Sequence, residues 1–359
     1  MSLRPSLNWL LAFIPITLAL EHGSAPAPWV FFSAAVAIVP VARLIVRSTE
    51  HLSTYTGDAI GGLLNATFGN APELIIAVVA LKAGLLDMVR ASIAGAILAN
   101  LLLALGVAFL LGGLRHHTQT YQAGAARMYS SMMLIAVVSL AVPSAFSRFF
   151  APEETLREEA LLNIGLAVVL LAAYVLYLVF MLKTHPREFA GEEGGHGPHE
   201  GERWSLGRAI AGLAVAAVLA AWMSEILVGA AEGTGTALGM SQVFIGIVFL
   251  AIVGGAAESS SAIAMGLKNK MDLCVGIALG SCIQIALFVA PVLVLASYFV
   301  APQPLELSFS RPEIGALFMG VLIGALVAGD GRSNWFKGVQ LIAVYLIIAL
   351  MFYFLPVAG

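Results

Sequence analysis

Charge is what this sequence has least of: of its 359 residues only 11% are Asp, Glu, Lys or Arg, while 60% are hydrophobic. Soluble domains carry about a quarter charged residues, so the deficit excludes a solvated globular surface and makes the chain a polytopic membrane protein. Alternation of apolar and polar residues is also missing, which excludes a lipid-facing β-barrel. The long Leu, Ala, Val and Gly blocks can satisfy their backbone hydrogen bonds within a bilayer only as helices. Cysteine is nearly absent. Cys274 and Cys282 lie eight residues apart in one apolar run, where they cannot pair along a helix and report small apolar packing rather than a disulfide framework. There is no HExxH zinc motif, no GxSxG nucleophile elbow and no histidine within a predicted span, so the chain is not read as an enzyme.

What is present is a series of apolar runs of spanning length. They fall near 7–20, 28–47, 58–82, 87–113, 125–147, 158–182, 207–230, 241–266, 271–300, 312–328 and 336–357, predicting an all-α bundle of about 11 transmembrane helices. The first run, followed by Gly23-Ser24-Ala25-Pro26-Ala27-Pro28, has the outline of a secretory signal peptide, but the prolines after the small residues favour a retained helix. With the N-terminus in the cytoplasm, thirteen of the 18 Lys and Arg residues fall on the cytoplasmic side, a clear positive-inside bias. The C-terminus is then outside. The expected location is a bacterial inner or cell membrane. One polar stretch, 184–206, carries Glu188, Glu192, Glu193, Glu200 and Glu202 with His185, His196 and His199 among glycines. It reads as a solvated linker, with divalent-cation sensing as the alternative.

Against this background a carboxylate in the apolar run LLNATFGNAPELIIAVVAL stands out. Burying a charge in lipid is costly, so Glu73, behind Gly69-Asn70 and Pro72, is a functional candidate. A second arrangement of the same kind follows at Gly254-Gly255-Ala256-Ala257-Glu258-Ser259, where Glu258 lies 185 residues after Glu73. The same offset aligns Gly61 with Gly246, Gly69 with Gly254, Ala71 with Ala256, Ala77 with Ala262, Asp87 with Asp272 and Gly95 with Gly280. This is an internal repeat. Five spans intervene between the matched helices, and an odd number inverts the second copy. The expected organisation is an extra N-terminal helix (1–27), a first five-helix repeat (28–183), the linker (184–206) and a second, inverted five-helix repeat (207–359).

Inverted-repeat transporters bind at the midplane, where interrupted helices free backbone carbonyls. Glu73 and Glu258 brought together there form an all-oxygen site suited to a hard cation, above all Ca²⁺. Asn70, Asn100, Ser259, Ser281 and Gln284 are candidate further ligands, or polar contacts between helices. Two close carboxylates repel, so without a cation one of them holds a proton, and Ca²⁺ and H⁺ compete for the same oxygens. No thiolate or imidazole cluster supports a soft metal.

The blocks GNAPELI (69–75), GAILANLLLALG (95–106), GGAAESSSAIAMG (254–266) and GSCIQIALFVAPVLVL (280–295) resemble the Ca²⁺/H⁺ antiporter (CAX) family of the cation/Ca²⁺ exchanger superfamily. The resemblance implies that Glu73, Glu258 and adjacent carbonyls bind Ca²⁺ and exchange it for protons by alternating access. It places Asn100, Ser281 and Gln284 at matching polar positions, and Glu225 and Glu232 along an acidic ion path. The second motif departs from the family pattern Gly-Asn-Ala-Ala-Glu-His, since Gly255 replaces the Asn and Ser259 the His. The alternatives are Na⁺/Ca²⁺ or Mn²⁺/H⁺ exchange on the same fold and, in a different class, a passive cation channel. The expected partners are Ca²⁺ and protons as substrates and the lipid bilayer, with no nucleic acid and no cofactor; homo-oligomerisation stays open.

Overall fold

Apolar blocks that can bond their backbone only to themselves run as helices through nearly the whole computed structural model, which describes residues 7–56, 61, 63–64, 67–149, 156–185 and 204–355. A 3₁₀ turn over Leu7–Ala12 leads into α1, Phe13–His22. There follow α2 Ala27–Ser53, α3 Ala71–Lys82, α4 Leu86–His116, α5 Ala123–Phe149 and α6 Arg157–Thr184. The second half holds α7 Leu206–Leu238, α8 Gln242–Gly254, α9 Ala256–Leu267, α10 Met271–Val300, α11 Arg311–Ala328 and α12 Trp335–Tyr353. Among the described residues eight helices are long and apolar enough to cross a membrane, or nine when α8 and α9 count as one bent span, and Trp9–His22 is a shorter apolar helix. The expected eleven are not reached on that measure. The first span is short, and of the third, expected over 58–82, residues 58–60, 62 and 65–66 lie outside the described residues. Large apolar side chains such as Leu176, Phe299 and Leu326 are exposed, as a surface that meets lipid requires.

Helices α2 and α7, expected over 28–47 and 207–230, are longer than their apolar runs, at 27 and 33 residues. At 1.5 Å per residue these reach about 40 and 50 Å, beyond a hydrocarbon core of about 30 Å, so they tilt or project into water. The two pack side by side, which supports the polar extensions that hydropathy leaves out.

The interruptions fall where glycine and proline predict them. Between α8 and α9 the chain bends by 60°, and Gly255 is the residue at the break. Before α3, Gly69 and Asn70 form a turn, and Pro72 sits in the first helical turn, where its missing N–H costs nothing. The two halves then match element by element. Helices α3 and α9 are each 12 residues long and start at Ala71 and Ala256; α4 and α10 start at Leu86 and Met271. Both pairs keep the offset of 185. Each of α4 and α10 also contains a π-helical segment at the corresponding place, Ala99–Ala104 and Ile285–Val289. Packing is reciprocal: α3 lies against the last part of α10, and α9 against the last part of α4, as two copies related by a two-fold axis must.

Two glycines let the halves touch. A Cβ at Gly95 would overlap the backbone of Ile247, and one at Gly246 would overlap the carbonyl of Met88. Helices α4 and α8 therefore meet backbone to backbone, the close approach that small residues permit in membranes. One unanticipated feature is a short antiparallel pair, β1 Thr118–Thr120 with β2 Arg332–Asn334, in register Gln119↔Ser333. In the linker His185 is described, stacked on Phe180 at 4.3 Å. Glu188, Glu192, Glu193, Glu200, Glu202, His196 and His199 lie outside the described residues.

Candidate functional site

Each motif glutamate occupies the third position of a short helix that begins at a chain interruption, Glu73 in α3 and Glu258 in α9. At that place the first backbone N–H groups have no helical partners and the helix dipole favours an anion. Interruption thus offsets part of the cost of a buried carboxylate. Glu73 is 9% exposed, and among the described residues neither of its carboxylate oxygens has a hydrogen-bond partner. Glu258 is half-buried, and its Oε2 accepts a hydrogen bond from the Ser281 hydroxyl.

The break in one half closes over the carboxylate of the other. A Cβ at Gly254 would come 3.0 Å from Cγ and 3.6 Å from Cδ of Glu73, so the backbone before α9 lies directly on the Glu73 side chain. A Cβ at the next residue, Gly255, would come 3.5 Å from Oδ1 and 3.6 Å from Nδ2 of Asn100. Asn100 is 2% exposed, its Oδ1 accepts from the Ser259 hydroxyl at 3.3 Å, and its Nδ2 has no partner among the described residues. Asn70, fully buried, donates through Nδ2 to Oε1 of Gln284.

Seven of the nine residues singled out from the sequence therefore meet in one cluster, and the contacts cross between halves. Asn70 of the first half reaches Gln284 of the second; Ser259 of the second reaches Asn100 of the first. Glu225 and Glu232 are different. Both are exposed on α7, and no hydrogen bond among the described residues joins their carboxylates to the cluster. Among the described residues no three His, Cys, Asp or Glu side chains gather to hold a metal. A cation here would take two carboxylates and complete its shell with amide, hydroxyl and backbone oxygens, the donor set of a hard ion.

From Glu73 a narrow cleft extends between α3, α4, α8 and α10, past Ser92, Ile93, Val289 and Leu293. Ser92 is its second polar side chain, and sequence reasoning missed it. The signal was available, because Ser92, Ala96 and Asn100 recur every four residues and share a face of α4. Cys282 is also part of this neighbourhood: buried and reduced, it donates through Sγ to the carbonyls of Ala278 at 3.2 Å and Ile97 at 3.4 Å.

With this geometry established, similarity to known proteins is informative. Residues 26–183 and 208–354 match the sodium/calcium exchanger protein family. A Ca²⁺/H⁺ antiporter of Aphanothece halophytica is 41% identical over 362 residues, covering 97% of this chain and 96% of that protein. The Ca²⁺/H⁺ antiporter ChaA of Bacillus subtilis is 42% identical over 346 residues, covering 96% and 97%. The solved structure of native YfkE superposes with a TM-score of 0.84 at 38% identity, covering 98% of this chain and all of that one.

Proposed function

Because the chain belongs to the sodium/calcium exchanger protein family and within it to the Ca²⁺/H⁺ antiporter (CAX) group, we propose that it exchanges Ca²⁺ for protons across a membrane. Both ions compete for the site built on Glu73 and Glu258. The observation that carries this reading is the Glu73 carboxylate, buried with neither oxygen hydrogen-bonded among the described residues and covered at Gly254 by the chain break that leads into the Glu258 helix. A buried carboxylate so placed needs either a proton or a cation. Whichever is bound supplies the charge balance that the other would, and that mutual exclusion is the basis of coupling.

The residues divide the work. Glu73 offers two oxygens to the occupant. Glu258 offers one oxygen while Ser281 holds the other, so its orientation is set before the ion arrives. Asn100 and the carbonyls freed at the two helix breaks complete the oxygen shell, and the Asn70–Gln284 bond ties the two halves beside it. Alternating access follows from movement of one half against the other at the glycine contact of α4 with α8, the cleft beyond Glu73 being the path to one side. This reading places the N-terminus in the cytoplasm and makes Ca²⁺ export the physiological direction.

The test is radiolabelled Ca²⁺ uptake by the purified chain in liposomes under an imposed pH gradient. Uptake should dissipate the gradient without Na⁺, and both Glu73→Gln and Glu258→Gln should lower it to the protein-free background. Normal exchange by either variant overturns the site. A strict requirement for Na⁺ overturns the coupling to protons.

A further inference from the structure

Helix α9 carries Glu258 near its first end, and at the other end the first half of the chain takes hold of it. Gln119, in β1, donates through Nε2 to the carbonyl of Gly266 at 2.9 Å and to Oδ1 of Asn269 at 2.8 Å. The Nε2–H of His116, at the end of α4, donates to the carbonyl of Leu267 at 3.1 Å. Both carbonyls belong to the last turn of α9, where partners must come from beyond the helical ladder. Gln119 is 2% exposed, and its strand is itself fixed. β1 pairs with β2, and the N–H groups of Tyr121 and Gln122 bond the Gly331 carbonyl and the Asp272 carboxylate.

Directional bonds matter here because the packing beneath them is smooth. A Cβ at Gly112 of α4 would come 2.9 Å from the Gly266 carbonyl and would overlap Oε1 of Gln119, and one at Gly266 would come 3.0 Å from the Ala108 carbonyl. Helices that meet backbone to backbone at small residues have no interdigitating side chains at that contact to set their register. Fixed donors at the end of α9 set it instead. Glu258 lies eight residues before Gly266, about 12 Å along the helix, so holding one end holds the carboxylate at one depth.

The first half lacks every part of this clasp. At the offset of 185, His116 aligns with Ala301, Gln119 with Pro304, Gly266 with Leu81 and Asn269 with Gly84. Asn269 and Gly84 share the left-handed conformation that ends each helix, at φ 59° and 74°. The turn is repeated and the donors are not. Among the described residues the carbonyls of Val79, Ala80 and Leu81 receive only backbone N–H groups. We infer that Gln119 is a positioning residue for the exchange proposed above, and resting on that reading: it anchors α9 so that Glu258 keeps its depth, and leaves α3 with Glu73 as the helix that shifts.

The test is initial Ca²⁺ uptake by the full chain in liposomes under a fixed pH gradient, resolved into KM and maximal rate, with the unfolding temperature measured alongside. Gln119→Met keeps the bulk and removes both bonds. It should raise the KM for Ca²⁺ about tenfold, as two neutral hydrogen bonds would, with a maximal rate within about twofold of wild type. Asn269→Gly removes one acceptor, and glycine suits the left-handed backbone there; KM should rise about threefold with no loss of unfolding temperature. Pro304→Ala, at the matching place in the other half, should leave KM unchanged. A clasp that is merely structural would lower the unfolding temperature at constant KM. That result for Gln119→Met, or a constant KM in Asn269→Gly should the first variant not fold, overturns the assignment. An equal rise in Pro304→Ala overturns the asymmetry between α9 and α3. Wild type that does not exchange Ca²⁺ for protons, or Glu258→Gln that does so normally, overturns the exchange reading itself.

Discussion

Glu73 and Glu258 stand at equivalent positions of two matching helices, yet they are held differently. Glu258 is half-buried and accepts a hydrogen bond from Ser281; Glu73 is buried and accepts none among the described residues. The position that aligns with Ser281 in the first half is Ala96, which has no hydroxyl to give. Under the proposed exchange, the repeat supplies the pair of charges, and the difference between its copies makes one carboxylate a fixed wall of the site and the other its exchangeable side. Loss of either charge should stop exchange, as the two glutamine variants test. Subtler substitutions should separate the two roles.

The paired glycines at the second break provide the sharpest separation. A Cβ at Gly254 meets the Glu73 side chain at 3.0 Å, closer than ordinary contact, so Gly254→Ala must shift the Glu73 side chain by a few tenths of an ångström. Overpacking of this kind costs about 1–3 kcal/mol, and the apparent Ca²⁺ affinity should fall by roughly tenfold. Gly255→Ala meets Ala251 O and Asn100 only at 3.4 Å and beyond, and its φ of −78° suits any residue. That variant should transport within about twofold of wild type. Equal effects of the two alanines on transport kinetics would break the claim that Glu73 is the carboxylate the second half closes upon.

Hydroxyl deletions give the next tier. Ser281→Ala removes a bond to a carboxylate, a class worth about 1.5–3 kcal/mol, and frees Glu258 to behave as Glu73 does. Apparent Ca²⁺ affinity should drop about tenfold. Ser259→Ala removes a longer bond between neutral groups, 3.3 Å to Asn100, a class worth about 1 kcal/mol, and should cost only a few-fold. Titrating Ca²⁺ against initial uptake rate in both variants measures the order, and a reversed order would make Asn100 rather than Ser281 the support that matters.

These residues differ in how readily the chain discloses them. Glu73 and Glu258 are legible because a charge is rare in apolar sequence and because both recur at one offset; the bend at Gly255 is legible because two glycines adjoin. The apolar runs also locate the start of α4 and both ends of α10 to within a residue, whereas α3 and α9 are only the later parts of the runs expected over 58–82 and 241–266. What pairs with what is not legible. Asn70 and Gln284 are 214 positions apart, and only inverted packing brings them together. The π-helical segments beginning at Ala99 and Ile285 leave no mark in composition, since the same residues would fit an α-helix. Glu225 and Glu232 entered through family resemblance alone, without a packing argument, and they stand exposed. The β1–β2 pair is hidden because three-residue strands show no alternation.

A third carboxylate sharpens the comparison from outside the site. Glu306, in the segment between α10 and α11, is half-buried, and burial, with the nearby charge of Glu159, holds its carboxyl above the usual range despite Arg90. An acid whose folded value is raised binds its proton more tightly in the folded state. Its contribution to stability is therefore largest at low pH and is lost as pH rises from the ordinary carboxylate value through the folded one. At neutral pH the folded chain bears the cost of a poorly solvated charge, so Glu306→Gln should raise the unfolding temperature. Discounted for solvent screening, the gain is roughly a few tenths of a kcal/mol, and it should vanish in scans below the ordinary carboxylate value. Exchange should be unchanged, because this carboxylate lines neither the Glu73 cleft nor a helix break. If neutralising Glu306 impaired Ca²⁺ uptake as Glu73→Gln does, burial alone would suffice to make a glutamate functional here, and placement at a broken helix would lose its special weight.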